Sequence, residues 1–345
     1  MNANFPACFV VLPVSSTGRR APFYLAAEEW VATHLPEGSY LFMWQVDRTV
    51  VMGRNQVAHQ EVDLDFCREH GIDVIRRKSG GGAIFADEGN VMTSLITPKG
   101  RVEGIFSEYA NAMAAALTGL GVSVEVRGRN DIILSGKGKI CGNAFYHMAN
   151  RNIVHGTLLY DTDYSLMQGA LRACPQKLQA KGVQSIRARV GLLRGVLQTP
   201  FAESASSEVT WLTEQLRSAL TDRRVEIDSA AVAEIERMEQ AYYDEQFLYG
   251  CSAGDETGTS VRVEGCGTLG LYFSLKGSMV RSVRLTGDFF EVGDAQQAFN
   301  EAFSGVPFTA SRLIGAMEKS RPELSIRNLD ASQLASIIRQ ITDNN

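Results

Sequence analysis

Residues 122–160, VSVEVRGRNDIILSGKGKICGNAFYHMANRNIVHGTLLY, decide the fold of this chain. The stretch divides into four runs: Val122–Arg127, Asp131–Leu134, Lys139–His147 and Asn152–Tyr160. Each run is long enough for a strand, and the connectors Gly128-Arg-Asn130, Ser135-Gly-Lys-Gly138 and Ala149-Asn-Arg-Asn152 carry hairpin chemistry. Strands joined this closely pair antiparallel, because parallel neighbours need a crossover of about a dozen residues or more. A doubly wound sheet is therefore disfavoured. The chain reads as α+β (mixed α/β), with helices packed on mixed sheets.

Upstream, Phe23, Leu25, Ala26, Ala27, Trp30 and Val31 recur at helical spacing over residues 23–35, with Glu28 and Glu29 among them. Leu41–Gln45 and Thr49–Met52 read as strands joined by a turn around Asp47. Asp63–His70 is a short helix stopped by Gly71. Ile72–Arg77 is a strand that feeds Ser79-Gly-Gly-Gly82, and Ala83-Ile-Phe85 resumes as strand. Val91–Thr97 is a further strand, followed by an alanine-rich helix over residues 103–119. Downstream, residues 163–241 read as mainly helical, including Ser207–Leu220 and Ser229–Tyr242. Gly250–Ser260, dense in Gly, Ser and Thr, is the linker candidate. Beyond it, Val261–Cys266, Gly270–Leu275 and Met279–Thr286 form a small meander, with helices near 294–303, 309–318 and 331–341. The expected organisation is a large domain over 1–248, a linker over 249–260 and a small accessory domain over 261–345.

The bulk numbers agree with two domains: 345 residues, 45% hydrophobic and 21% charged, describe an ordinary soluble globular chain. A net charge of −5 argues against a nucleic-acid binder while leaving room for a local basic pocket. No apolar stretch approaches the roughly 20 residues of a membrane span, and no basic segment precedes the short apolar run at the N-terminus, so a signal peptide is not expected. The six cysteines are widely spaced with no CxxC pair, and the five histidines form no HxxxH pair. That pattern fits free thiols in a reducing cytoplasm rather than a disulfide frame or zinc site. A cytoplasmic enzyme is expected.

Four segments carry the polar chemistry, and each has a plainer alternative. In Arg76-Arg-Lys-Ser-Gly-Gly-Gly82 the glycines let backbone approach a ligand and turn its N–H groups outward. Arg76 and Arg77 add positive charge, which suits an anionic head group carrying an extended apolar tail. The pattern is neither a P-loop nor a dinucleotide fingerprint, and a bare hairpin turn is the alternative. Asp87 and Asn90 follow closely enough to share the rim of this turn, or simply make the next one. In the second segment, Asn130 and Asp131 open a strand and could hold Mg²⁺ with nucleotide phosphates, or form an Asx turn. In the third, if Ile140 faces the core, a two-residue period sends Lys139 and Cys141 to the opposite face. Lys139 between small residues suits a cation that meets a phosphate and a carbonyl oxygen, or it is an exposed hairpin lysine. Cys141 is a nucleophile or a small packing residue. In the fourth, His155 and Thr157 interrupt an apolar strand, either as site residues or as satisfied core groups.

The order of these segments resembles the lipoate–protein ligase A family of the biotin/lipoate ligase superfamily, over nearly the whole chain. Phe23-Tyr-Leu-Ala-Ala-Glu-Glu29 is similar to the family's opening helix, and Trp44-Gln through Val50-Val-Met-Gly-Arg-Asn-Gln56 to its WQ…TVVxGRNQ segment. Arg76 to Asn90 resembles RRxSGGGAVFHDxGN. Asn130-Asp131, Lys139-Ile-Cys-Gly-Asn-Ala144, His155-Gly-Thr-Leu-Leu159 and Lys181–Val190 follow in the family's order, and Leu285–Phe290 and Phe303–Phe308 resemble its accessory-domain signatures. Three positions depart from the pattern: Ala86 for the usual histidine, Cys141 for the usual serine, and Phe247–Gly254, which keeps only Tyr-Gly of the family's aromatic linker.

The resemblance implies a biotin/lipoate-ligase-like catalytic domain that activates lipoate with ATP and Mg²⁺ to lipoyl-AMP. It then implies transfer to a lysine of lipoyl carrier domains, namely E2 subunits of 2-oxoacid dehydrogenases and the glycine cleavage H protein. On that basis Lys139 is catalytic. Trp44, Arg77, Ser79, Gly80, Gly81, Gly82 and His155 meet lipoate or lipoyl-AMP. Ala83, Ile84, Phe85, Asn90, Asn130, Asp131, Lys139 and Thr157 meet the nucleotide, with Asp131 the expected magnesium ligand. The competing readings are an octanoyl or lipoyl transferase working through a cysteine thioester without ATP, and a non-catalytic lipoate-binding protein. The biotin-ligase branch is disfavoured because its GRGRxGR-type segment is absent.

Overall fold

The computed structural model describes residues 6–13, 16–127, 131–172, 190–198, 205–250 and 256–343. Asn130, the Lys181–Arg189 part of the ligase-like motif and residues 251–255 of the expected linker lie outside the described residues. The chain divides into two compact units, each discontinuous in sequence. The first comprises Met1–Val51, Glu61–Ile75 and Ile84–Asp244; the second comprises Met52–Gln60, Arg76–Ala83 and Glu245–Asn345. The glycine turn is thus grouped with the carboxy-terminal residues.

The strands are β1 (Ala7–Val11), β2 (Ser39–Trp44), β3 (Thr49–Met52), β4 (Asp73–Arg76), β5 (Ile84–Ala86), β6 (Asn90–Pro98), β7 (Val124–Arg127), β8 (Asp131–Leu134), β9 (Gly138–His147), β10 (Arg151–Leu159) and β11 (Arg224–Glu226). Eight of them form one mixed sheet, ordered β11-β1-β2-β6-β10-β9-β8-β7. Only the β11–β1 and β1–β2 pairs are parallel; from β2 to β7 every pair is antiparallel. The four runs expected over 122–160 are β7 to β10, each pairing antiparallel with the next; the Gly128–Asn130 connector lies outside the described residues. A smaller sheet has the order β4-β3-β5, so the adjacent strands β2 and β3 separate into different sheets at the Asp47 turn.

The main helices of this unit are α1 (Ala21–His34), α2 (Leu64–Glu69), α3 (Val102–Gly119), α4 (Tyr164–Ala170), α5 (Ala205–Leu220) and α6 (Ser229–Glu239). One face of the large sheet is closed by α3 and α5, through a core that includes Leu41, Val91, Leu95, Tyr109, Met113, Leu117, Val154, Leu158, Leu212 and Leu216. Alternation along each strand sends the neighbouring residues to the other face, where the buried helix α1 packs against β6 and β10.

The carboxy-terminal part of the second unit is the small α+β fold expected from the sequence. Strands β12 (Thr257–Val263), β13 (Gly267–Lys276) and β14 (Met279–Gly287) form an antiparallel meander. Helices α7 (Ala295–Phe303), α8 (Ala310–Ser320) and α9 (Ala331–Asp343) share a core with it, built on Leu269, Leu271, Phe273, Leu285, Phe289, Phe299, Phe303, Leu313, Leu334 and Ile338. The whole is a mixed α/β domain with an eight-stranded sheet plus a small antiparallel-sheet domain.

Candidate active site

Strand register places three of the expected residues of the first unit in one row. Asp131 pairs with Gly142, Gly142 with Thr157, Thr157 with Met92, and Met92 with Trp44. Directly paired residues point to the same side of a sheet, so Asp131, Thr157 and Trp44 share a face. The next row along the chain, Ile132, Cys141, Leu158 and Val91, points the other way into the core. His155, two residues before Thr157, shares the Thr157 face and lies opposite Ala144 and Ser94.

Lys139 reaches that face through an irregularity. The β8–β9 pairing runs Ile132 to Cys141 and then Ile133 to Lys139, leaving Ile140 as an extra residue in a β-bulge. Both Ile140 and Cys141 are in the hydrophobic core. The expectation that a plain two-residue period puts Lys139 and Cys141 together opposite Ile140 is therefore corrected. The bulge breaks the period, and Lys139 alone turns toward Asp131. Its Nζ stands 2.6 Å from Asp131 Oδ1, with the two side chains 28% and 19% exposed. Asp131 Oδ1 makes no aligned hydrogen bond among the described residues, so the contact is an ion pair that leaves lone-pair capacity for a ligand. The backbone oxygen of Lys139 accepts from Gly191 N at 2.8 Å, and Val190 forms an isolated parallel bridge to Lys139.

A buried polar chain lies two rows away. Trp44 Nε1 donates to Ser94 Oγ at 2.9 Å, Ser94 Oγ donates to Glu28 Oε1 at 2.6 Å, and His155 Nδ1 meets Glu28 Oε2 at 3.0 Å. Tyr24 stacks on Trp44 with ring centroids 4.7 Å apart. Glu28 and Ser94 are the members that sequence reasoning missed. The available signal was a glutamate on the buried stripe of α1, together with a histidine on an apolar strand that needs a partner. On the core side, the Cys141 thiol is 1% exposed. Burial pushes its pKa up to about 12, so it stays protonated and is a packing residue.

The segment after the glycines is enclosed. Asn90 is fully buried and donates to Asp87 Oδ1 at 2.6 Å, closing the Asp87 turn. Ile84 and Phe85 pair with Val51 and Val50 along one edge of β5, which is an edge strand of its small sheet. Ala86 is completely buried.

The glycine turn itself is described within the second unit. Arg77 is buried and holds the turn from inside, donating to Ser79 Oγ at 2.9 Å, Gly80 O at 2.8 Å and Gly82 O at 2.9 Å. Gly81 takes φ +91°, a conformation that favours glycine, and its N–H donates to Phe289 O at 3.0 Å. Arg76 is fully buried and donates to the carbonyls of Gly53, Arg54, Gln56 and Leu248. The two arginines thus differ: Arg76 ties three segments together, and Arg77 shapes the turn.

A family model for the lipoyl protein ligase A/B catalytic domain matches residues 20–221, more than half of the chain. The chain belongs to the lipoyl protein ligase A/B family. The ligase also matches a model for the bacterial lipoate protein ligase C-terminus over residues 257–338. It is 32% identical over 281 residues to lipoate–protein ligase 1 of Staphylococcus aureus, covering 80% of this chain and 84% of that protein. Identity to the lipoate–protein ligase LplJ of Bacillus subtilis is likewise 32%, over 282 residues, with the same coverage. Among solved structures, P. falciparum LipL1 in complex with lipoate superposes with TM-score 0.73 at 19% identity, covering 97% of this chain and 98% of that one. Lipoate–protein ligase A bound with ATP gives TM-score 0.57 at 22% identity, covering 72% and 100%. These two share the fold. The activity of this enzyme is that of a lipoate–protein ligase.

Proposed function

We propose that this ligase activates lipoate with ATP to lipoyl-AMP and then transfers the lipoyl group to a lysine of lipoyl carrier domains. The expected acceptors are E2 subunits of 2-oxoacid dehydrogenases and the glycine cleavage H protein. The observation that carries the reading is the Lys139–Asp131 ion pair, aimed by a bulge onto the sheet face that also holds Thr157 and Trp44. In the first step a lipoate carboxylate oxygen attacks the α-phosphorus and pyrophosphate leaves. Two anions must approach, and the Lys139 ammonium lowers that repulsion. In the second, the carrier's neutral amine attacks the acyl carbonyl. Lys139 stabilises charge on the carbonyl oxygen, the nitrogen made cationic by the attack loses its proton, and the C–O bond to AMP breaks to leave the amide. No covalent enzyme intermediate is needed, which agrees with a Cys141 thiol that is buried and protonated.

Asp131 is the residue that would hold Mg²⁺. Its carboxylate has an oxygen without an aligned donor among the described residues, and a nucleotide-associated magnesium site needs only one or two protein carboxylates. Bound there, the ion would offset charge on the phosphate oxygens. Thr157 is assigned to the nucleotide from the same row. Ala83, Ile84 and Phe85 are assigned to it, the last two through the outer backbone groups of the β5 edge. Trp44 and His155 are assigned to the acyl end. The turn Ser79–Gly82 is assigned to lipoate, with Arg77 acting by shaping it.

Lipoate-dependent pyrophosphate exchange with ATP and Mg²⁺ tests the reading. Exchange is expected in the wild type and in Cys141→Ser, with a loss of at least about 10²-fold in Lys139→Ala, the scale for removing one preorganised stabilising group. Absence of exchange in the wild type would overturn the adenylate route.

A further inference from the structure

We infer that Gly142 is a positioning residue for Lys139, present because any larger side chain would occupy the space through which the lysine reaches Asp131. The inference rests on the role given to Lys139 above. A glycine in the interior of a ten-residue strand weakens it and requires a reason. Gly142 does not take a left-handed backbone conformation, so the reason is not its φ angle. A Cβ placed on Gly142 would stand 2.6 Å from Lys139 Nζ and 2.7 Å from Lys139 Cε. Apart from its chain neighbours, no other heavy atom of the described residues lies within 4 Å of that Cβ. The clearance therefore serves the lysine alone.

Gly156 on the adjacent strand is a useful contrast. Its Cβ would strike Asn143 Oδ1 at 2.2 Å and Thr93 Oγ1 at 3.0 Å, two buried packing groups. Gly156 is there for the core, whereas Gly142 is there for the ammonium. The bulge at Ile140 aims Lys139 onto the right face, and Gly142, paired directly with Asp131 on one side and Thr157 on the other, keeps the path between them open.

An alanine at this position changes the flexible end of one side chain and nothing in the backbone. Gly142→Ala therefore folds, with a melting temperature equal to or above wild type, because alanine restricts the unfolded chain. Its kcat for lipoate-dependent pyrophosphate exchange falls by about 10- to 10²-fold, the cost of misplacing a catalytic group by about 1 Å, while the KM for lipoate stays close to wild type. Since the effect passes through the lysine, the double variant Gly142→Ala/Lys139→Ala is no slower than Lys139→Ala alone. Wild-type kcat in folded Gly142→Ala, or losses that multiply in the double variant, would overturn the inference. Full exchange in Lys139→Ala would be a different failure, removing the lysine's role on which the inference stands.

Discussion

Asp87 is 5% exposed and accepts four hydrogen bonds: from Gly89 N, Asn90 Nδ2, Thr162 Oγ1 and Asp163 N. Two of its donors follow it directly in sequence and two come from more than seventy residues away, so it clasps two loops together. Asp87→Ala strands those donors, and a loss of about 3 kcal/mol is expected in urea unfolding. The pH dependence has a definite sign. Burial is the largest influence on Asp87 and raises its pKa above 3.8 in the fold. The titration-linked stability is therefore fully present below the unfolded value and is lost as pH rises through the raised folded value. The gap between wild type and Asp87→Ala should widen on going from neutral to acid pH. A gap that narrows toward acid would contradict the assignment. Sequence reasoning put Asp87 either on the rim of the glycine turn or in the next turn, and within the first unit it closes that next turn with Asn90. The spacing Asp87-Glu-Gly-Asn90 showed a turn, but Thr162 and Asp163 were invisible because their contact is long-range. Cys141 and Lys139 teach the same lesson. Their residue types were informative, yet their faces depended on a bulge that no count by two detects.

The elements that sequence made legible are those whose partner is the next strand. Strands β7 to β10 each pair with the next along the chain, and Gly136 in the β8–β9 connection and Gly138 at the start of β9 both take positive φ. Strands β1 and β11 escaped notice because each is short and pairs parallel, Phe9 with Arg224, across most of the chain. The glycine turn shows how far an element can be read locally. Its three glycines look equivalent in sequence but meet different surroundings. A Cβ on Gly80 would lie 2.5 Å from Phe289 O, a backbone atom that has little room to yield, whereas a Cβ on Gly82 meets nothing within 4 Å. Gly80→Ala is therefore expected to destabilise the protein by about 1–3 kcal/mol, and Gly82→Ala to leave stability unchanged. Thermal unfolding of the two variants side by side checks this. Equal midpoints would mean that the turn is not held by Phe289.

At the scale of the whole molecule, sequence order and spatial grouping part company. The chain reads as a large domain, a linker and a small domain, and the small domain's strands and helices were legible from their own periodicity. The grouping of Met52–Gln60 and Arg76–Ala83 with Glu245–Asn345 was not, because it depends on backbone contacts such as Gly81 N to Phe289 O and Gly287 N to Asn55 O. Arg76 adds a third tie, donating through Nε and Nη2 to Leu248 O at 3.0 and 2.7 Å. A ligase cut back to residues 1–244 loses every one of these partners and keeps the whole core under the eight-stranded sheet. Its sheet should fold, as judged by far-ultraviolet circular dichroism, while the segment around Lys78 loses its packing. Regions stripped of buried contacts open locally at lower free energy. Trypsin should then cut after Lys78 at least about tenfold faster than in the full chain, equivalent to roughly 1.4 kcal/mol of local stability. Mass spectrometry of the early fragments identifies the site. If both chains are cut there at the same rate, the carboxy-terminal contacts do not order the glycine turn. The contacts of Arg76 and Gly81 would then follow from the turn's conformation rather than maintain it.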